Sequence, residues 1–202
     1  MDPGNVDRLV AFDPLIVPTA DDYMRVWRSL PLPVADRLYR PVRAPRGRPS
    51  ILFLGRSTEH RERFLDRPKA ELDVVHAAFG IAGDELARLL DSHDIGVNLH
   101  NEPYPSFENR VCLHLAAGQL VVSETLSPTH GLEPDIDYLE VSEPEQLLAI
   151  LRTAVRFPRA YDRVRIRGRR KAEAFRASYV YPRLVSDLLL DLRAFGTERA
   201  RA

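Results

Sequence analysis

Groups that could bind a phosphate or move a proton follow each of four short apolar runs in the sequence. Arginine, serine and threonine side chains, together with loop amides, hydrogen-bond phosphate oxygens. Histidine and glutamate are residue types that commonly exchange a proton with a substrate. The candidate residues, in chain order, are Arg56, Ser57, Thr58, Gly80, His100, Asn101, Glu102, Phe107, Glu108, Asn109, Glu124 and His130.

An alternation of predicted strands and helices would bring these residues to one edge of a sheet. Apolar runs predict strands over 51–55, 73–76, 94–99 and 120–123, with a fifth candidate over 138–141. Helices are predicted over 84–92, 107–117, 160–177 and 179–195 and after the capping box Ser142–Glu145, and only one or two helical turns within 56–68. Strands separated by helices pair in parallel, so the fold class is α/β: a single Rossmann-like open parallel sheet of about five strands with flanking helices. Ligands bind such a sheet beyond the carboxyl ends of its strands.

The first quarter of the chain differs from the remainder. Eight of the sixteen prolines lie in residues 1–49, which are predicted to form a Pro-rich N-terminal arm and linker. Within it, apolar residues on one face predict a short helix over 21–30, and the prolines predict an extended linker over 41–50. Residues 50–195 form the predicted domain and residues 196–202 a frayed tail.

Composition excludes several classes of protein. The chain has 202 residues, 29 basic and 29 acidic, and 45% of its residues are apolar, so it can bury a core. A formal net charge of zero argues against nucleic acid as the main partner. We expect no membrane span and no signal peptide, because no segment carries a sufficient apolar run. The single cysteine, Cys112, cannot form an internal disulfide, and we expect a cytoplasmic location.

Common catalytic motifs are missing from the sequence. It contains no phosphate-binding GxxxxGK[ST], no GxGxxG after a strand and no GxSxG serine elbow. It also lacks HExxH, and one cysteine cannot build a thiolate site, so no metal is expected.

A run of nine basic residues over 156–176 has two interpretations. It could bind an anionic partner such as RNA, or it could be a solvated helix face neutralised by acids elsewhere in the fold. We favour the second interpretation, because the aromatic residues Tyr161 and Phe175 within the run have the spacing of core contacts. The acids expected to oppose the run are Glu133, Asp135, Asp137, Glu140, Glu143 and Glu145.

Three segments together resemble a known family. They are DIGVNLHNEPYPSFENRVCLHLAAGQLVVSE (94–124), GLEPDIDYLEVSEPEQLLAIL (131–151) and GRRKAEAFRASY (168–179), and LFLGRS supplies a matching first strand and turn. The order resembles the C-terminal nucleotide-sugar-binding domain of group 1 GT-B glycosyltransferases, in particular the CgeB-like branch. In that family a helix containing an arginine, here Arg110, ends in Ala-x-Gly. The resemblance covers roughly residues 50–180.

The resemblance implies a glycosyltransferase of the hexosyltransferase type. It would bind a nucleotide-diphosphate sugar as donor substrate, without a metal or other cofactor, and transfer the glycosyl group to an unknown acceptor. Arg56, Ser57 and Thr58, with amides near 107–109, would hold the diphosphate. His100 or Glu102 would serve as the base for the acceptor hydroxyl.

Two departures from the family pattern favour an alternative. Leu113 and Pro105 stand where many members carry a pair of glutamates, the second of which contacts the donor ribose. An arm of 49 residues is also too short to supply the family's N-terminal domain. The alternative is therefore a non-catalytic module that binds a nucleotide, glycan or partner protein, and completes a site through a homodimer or a second chain. An RNA-associated domain that uses the basic run is a third option.

Overall fold

The computed structural model describes residues 6–44 and 47–196. The N-terminal segment forms two parallel strands, β1 (Leu9–Ala11) and β2 (Val26–Ser29), with a short helix α1 (Val17–Asp21) between them. The predicted helix over 21–30 is therefore wrong. The Asp21 carboxylate accepts a hydrogen bond from the Val26 amide at 2.6 Å, and pairing with β1 then holds the following residues in a strand.

The central sheet confirms the predicted fold class. Its five strands are β3 (Ile51–Leu54), β4 (Val74–Ala77), β5 (Ile95–Asn98), β6 (Leu120–Glu124) and β7 (Leu139–Val141), in the order β4-β3-β5-β6-β7. All neighbouring strands are parallel. Strands β3, β5 and β6 are buried on both faces, because helices cover the sheet on each side. The carboxyl ends of the five strands therefore lie at one edge.

In the described ranges of the chain, six α-helices follow or connect the strands of this sheet. They are α2 (Glu59–Glu71), α3 (Gly83–Ser92), α4 (Arg110–Ala116), α5 (Pro144–Arg156), α6 (Asp162–Lys171) and α7 (Ala177–Phe195). Residues of α3 and α4 pack with Leu52 and Val121 on one face of the sheet, and residues of α2 and α5 pack with Phe53 and Val122 on the other. Each of these buried side chains contributes about 1.5–3 kcal/mol of burial free energy.

Several helix ends differ from the sequence predictions for local reasons. Helix α2 is much longer than one or two turns, because Thr58 caps it and Phe64 and Leu65 bury one face. Helix α4 begins at Arg110 and not at 107, since Ser106 pairs with Leu126 in an isolated bridge. The predicted capping box at α5 is wrong. The Ser142 amide donates to the Gln146 side chain at 2.9 Å, and Glu145 takes no part.

The N-terminal segment packs onto the domain. The Tyr39 hydroxyl donates to the Ala172 carbonyl at 2.7 Å, and the Arg40 amide donates to the Ala116 carbonyl at 2.9 Å. An ion pair joins Arg8 to α7. The boundary at 49 stays a prediction, and two positions of the predicted linker, 45 and 46, lie outside the described residues. Of the predicted tail, the structure describes only Gly196.

Acidic residues neutralise much of the basic run on α6 and its neighbours. Arg167 and Lys171 face Asp137, whose side chain is completely buried, at 3.4 and 3.6 Å. Glu173 pairs with both Arg169 and Arg176 at 2.6 Å. These contacts agree with the interpretation of the run as a neutralised face. None of the helices in the described part of the chain combines the length and the apolar composition of a membrane-spanning segment.

Replacing Gly168 with alanine tests the packing of α6. A Cβ at this position would overlap with the Asp137 carbonyl oxygen and the Leu115 side chain. We expect Gly168→Ala to lower the free energy of unfolding by about 1–3 kcal/mol, measured by urea denaturation. Gly47→Ala is the matched control, because no atom of the described residues lies within 4 Å of its Cβ position. Equal effects of the two substitutions would contradict close packing at Gly168.

A buried histidine predicts a loss of stability in acid. His114 is fully buried against Gly96, and burial lowers its pKa to about 4. The unfolded chain, with a histidine pKa near 6.5, therefore binds this proton more readily than the folded protein does. The contribution of the neutral His114 ring to the free energy of unfolding is complete above about pH 6.5. About 3 kcal/mol of this free energy is lost as the pH falls to 4. The measurement is the free energy of unfolding at pH 7 and pH 4.5. The pH dependence should be smaller in His114→Gln, and an equal dependence in both proteins would contradict this account.

Candidate functional site

The loops after β3 and β5 are joined at the carboxyl edge of the sheet. Arg56 donates through Nε to the Asn101 side-chain oxygen at 3.0 Å. The Thr58 hydroxyl donates to the Asn101 carbonyl at 3.1 Å and accepts from the Arg61 amide at 3.3 Å, which caps α2. Three of the predicted residues are therefore brought together at the N-terminus of α2.

Behind this junction lies a group that we call the arginine cluster: Arg56, Arg61, Arg110 and Glu108. Arg61 donates through Nε to the carbonyls of residues 99 and 100, both at 3.1 Å. Arg110 donates through Nη1 to the carbonyl of residue 99 at 2.7 Å. Glu108 lies between the two guanidinium groups, 3.1 Å from Nη2 of Arg110 and 3.6 Å from Nη2 of Arg61.

The arginine cluster carries buried positive charge. Only 3% of the Arg61 side chain and 11% of the Arg110 side chain are exposed. Burial lowers the pKa of Arg110 to about 10 and also lowers the pKa of Arg61, whereas the Glu108 carboxylate raises the pKa of both groups. Three guanidinium groups of the cluster share the one carboxylate of Glu108, and Glu124 also acts electrostatically on Arg61. An anion at this edge would therefore be attracted to a fixed, partly desolvated field.

Gly55 and Phe53 make room for the two buried guanidinium groups. Gly55 has a φ of +149°, and a Cβ there would lie 3.4 Å from both Arg110 and Arg61. The Phe53 ring lies 5.6 Å from Cζ of Arg61 and 5.5 Å from Cζ of Arg110, which is within cation–π range. The end of β3 therefore places the arginine cluster as well as the loop above it.

His100 holds two loops together. Its Nε2 donates to the Thr125 carbonyl at 2.8 Å, and its Nδ1 accepts from the Ser106 hydroxyl at 2.8 Å. The residue is 2% exposed. Because both ring nitrogens are already hydrogen-bonded, the ring has no free position for a substrate proton in this structure. Its assignment as a base remains a prediction from the sequence, and the geometry gives it a positioning role.

Glu124 connects the ends of β6 and β5 to α2. One carboxylate oxygen accepts from the His100 amide at 2.6 Å, and the other is 2.8 Å from Nε2 of His60. Glu124 is 8% exposed. Two donors thus satisfy a nearly buried carboxylate, which agrees with the usual pairing of buried charges.

Two clefts open on either side of the loop 101–105. The first, which we call the β6–β7 cleft, has a volume of about 230 Å³ and is lined by His60, Arg63, His100, Tyr104, Glu124 and Ser142, among others. The second holds about 140 Å³ and contains four predicted residues, Asn101, Glu102, Phe107 and Glu108. Asp13 and Leu15 of the N-terminal segment form its other wall.

The remaining predicted residues are placed differently. Ser57 donates to Glu62, and the Asn109 side chain accepts from the Leu32 amide at 3.1 Å, which ties it to the N-terminal segment. His130 packs edge-on against Phe107, with ring centroids 4.5 Å apart, and lines a separate groove beside α7. Gly80 lies in the loop after the edge strand β4, and within the described part of the chain no atom lies within 4 Å of its Cβ position.

Sequence reasoning missed Arg61 and His60. Both lie in the first turn of α2, within a stretch predicted to hold only one or two helical turns. Thr58, followed by Glu59 and Glu62, was the available signal, since a hydroxyl cap and early acids mark a helix start.

Glu108→Gln tests the charge balance of the arginine cluster. Removal of the carboxylate leaves two buried guanidinium groups with carbonyl partners alone, and breaking a buried pair costs up to ~3–5 kcal/mol. Because 26% of the Glu108 side chain is exposed, we expect a loss of about 2 kcal/mol in the free energy of unfolding by urea denaturation. Glu143→Gln is the control, since its pair with Arg63 is mostly exposed. Similar small losses in both variants would mean that the carbonyls alone stabilise the arginines.

Comparisons with known proteins identify the fold. No protein-family model matches the sequence, and no curated protein is similar to it in sequence. Sucrose-phosphate synthase from Thermosynechococcus elongatus is 16% identical with a TM-score of 0.61, over 94% of this chain and 59% of that one. Anabaena HepE, solved with UDP and glucose, is 11% identical with a TM-score of 0.64, over 91% and 63%.

A third solved structure is the pneumococcal O-GlcNAc transferase GtfA, solved with UDP and GlcNAc. It is 10% identical with a TM-score of 0.54, over 91% of this chain and 46% of that one. The chain thus spans about three fifths of the length of the first two structures and less than half of the third. At these identities the likeness shows the fold alone. The chain matches group 1 GT-B glycosyltransferases in structure over most of its length, corresponding to one half of that fold.

Proposed function

We propose that the protein binds a nucleotide-diphosphate sugar at the carboxyl edge of the sheet and transfers its glycosyl group to an acceptor. The observation that carries this proposal is the arginine cluster, which places three guanidinium groups beside the loops after β3 and β5. HepE and GtfA, which share the fold, were solved with UDP and a sugar.

Arg56 makes the direct contact with the diphosphate. Its side chain is exposed, whereas Arg61 and Arg110 are buried and donate mainly to carbonyls. Arg56 projects beside the capped N-terminus of α2, a thirteen-residue helix whose dipole favours an anion. The two buried arginines add fixed charge, which stabilises the additional negative charge that develops on the leaving diphosphate.

The donor sugar then lies toward the loop 101–105. Asn101 is held by Arg56 and Thr58, so this loop begins at the diphosphate site. Glu102, the second base predicted from the sequence, is exposed and lines the smaller cleft. Between the two predicted bases, Glu102 has the side chain that is open to a ligand, since both ring nitrogens of His100 are occupied.

A binding module without turnover is the second candidate function. Leu113 supports it, because this side chain packs against the core of the α3–α4 face and has no group that could accept a ribose hydroxyl. Such a module would still use the arginine cluster to bind a nucleotide. A second copy of the chain, or another protein, would then complete the acceptor site.

Titration calorimetry with UDP-, GDP- and dTDP-glucose tests the proposed function. We expect one of these donors to bind, and Arg56→Ala to weaken binding at least tenfold because a charge-assisted contact is lost. Arg56→Lys should retain part of the affinity, since it keeps the charge but not the forked geometry.

Arg152→Ala is the matched control. Arg152 pairs with Glu71 at the other end of α2, so its loss should leave donor affinity unchanged. The proposal fails if no nucleotide sugar binds, or if both alanine variants weaken binding equally. Binding without release of free nucleotide over many hours would favour the binding module.

A further inference from the structure

The β6–β7 cleft contains a histidine–carboxylate pair that is not part of the arginine cluster. His60 and Glu124 both line it, and only 12% and 11% of their side chains are exposed. The cleft lies at the same edge of the sheet as the arginine cluster. His60 directly precedes Arg61 in the first turn of α2. The β6–β7 cleft has a volume of about 230 Å³, which is smaller than the ~300–1,000 Å³ of sites for drug-sized ligands. A cleft of this size suits a single sugar ring.

The hydrogen bond to Glu124 determines the tautomer of His60. Nε2 of His60 lies 2.8 Å from a Glu124 oxygen, and an ionised carboxylate can only accept. The proton of the neutral ring is therefore on Nε2, and Nδ1 carries a lone pair. Among the described residues Nδ1 has no hydrogen-bond partner and is not a fully buried atom, and His60 is one of the residues that line the cleft.

Other contacts keep the ring and its carboxylate in place. The second Glu124 oxygen accepts from the His100 amide, so the carboxylate cannot rotate without losing a 2.6 Å hydrogen bond. The His60 ring also packs against Phe64, with centroids 5.3 Å apart. A base oriented by a third group is the arrangement that general-base catalysis requires.

We propose that the β6–β7 cleft is the acceptor subsite and that His60 is the general base of the glycosyl transfer, oriented by Glu124. This inference rests on the proposed function. Nδ1 of His60 takes the proton of the acceptor hydroxyl while the oxygen of that hydroxyl forms a bond to the anomeric carbon of the donor. The bond from that carbon to the diphosphate oxygen breaks, and its electron pair leaves with the nucleotide diphosphate. The acceptor class is a small hydroxyl compound or sugar, because the cleft has room for one ring.

The sharpest variant is His60→Gln. Glutamine can place an N–H donor near the position of Nε2 and so keep the hydrogen bond to Glu124, but it has no basic nitrogen. A purely structural histidine would therefore tolerate this change, whereas a base would not. His93→Gln is the matched control, because His93 lies at the end of α3, where its ring bonds the Leu89 carbonyl.

The assay uses UDP-glucose with water as the acceptor, and release of UDP is followed by ion-exchange chromatography. We expect His60→Gln to lower kcat by at least 100-fold, within the ~10²–10⁴ range of general-base catalysis, with a change in KM below threefold. Glu124→Gln should also lower kcat, as expected for a positioning residue. It should change the tautomer of His60, which ¹⁵N spectra of the imidazole would show.

Calorimetry with UDP-glucose distinguishes a failure of the proposed donor binding from a failure of the proposed role of His60. A wild-type protein that does not bind UDP-glucose rejects UDP-glucose transfer, and with it this role of His60. If the wild type binds UDP-glucose but releases UDP no faster than UDP-glucose hydrolyses in buffer alone, only the role of His60 as a base is rejected. The base is also rejected if His60→Gln and His93→Gln release UDP at the wild-type rate. A proton on Nδ1 of His60 in the wild type would contradict the geometry directly.

Discussion

Two guanidinium groups buried at the end of a β-sheet impose the main electrostatic constraint on this fold. Removing a charge from water costs several kcal/mol, and the cost is offset only if hydrogen bonds and counter-charges surround it. Carbonyls of the loop after β5 and the single carboxylate of Glu108 supply those partners for Arg61 and Arg110. Because one carboxylate faces two cations, positive charge remains. The same contacts that shape the loop thus hold the guanidinium groups on which the proposed diphosphate site depends.

The sheet could be predicted from the sequence because its signal is local. Each central strand is a short run of apolar residues that must be buried on both faces, and each lies close to its predicted position. The N-terminal segment could not be predicted in this way. Val26 and Trp27 have apolar side chains that fit either a helix or a strand, and pairing with β1 decides between them. Apolar periodicity contains no information about such a partner.

The candidate site, like the fold, could be predicted only where the signal in the sequence is local. The rule that ligands lie beyond the carboxyl ends of parallel strands correctly gathered Arg56, Thr58 and Asn101. It could not say which side chains the fold would occupy. His100 is a polar residue in a loop, yet both ring nitrogens bond to groups distant from its backbone. Arg61 is buried only because carbonyls of another loop surround it, and no spacing in the sequence predicts that contact.

The most direct test of the central claim is an NMR titration that follows the Nε–H groups of the arginines as UDP is added. If the arginine cluster is the diphosphate site, the signals of Arg56, Arg61 and Arg110 shift together and saturate with one binding constant. The reference signals are those of Arg28 and Arg183, which line the groove beside α7 and should stay in place. Shifts confined to Arg28 and Arg183, with the arginine cluster unchanged, would place the nucleotide elsewhere and contradict the account.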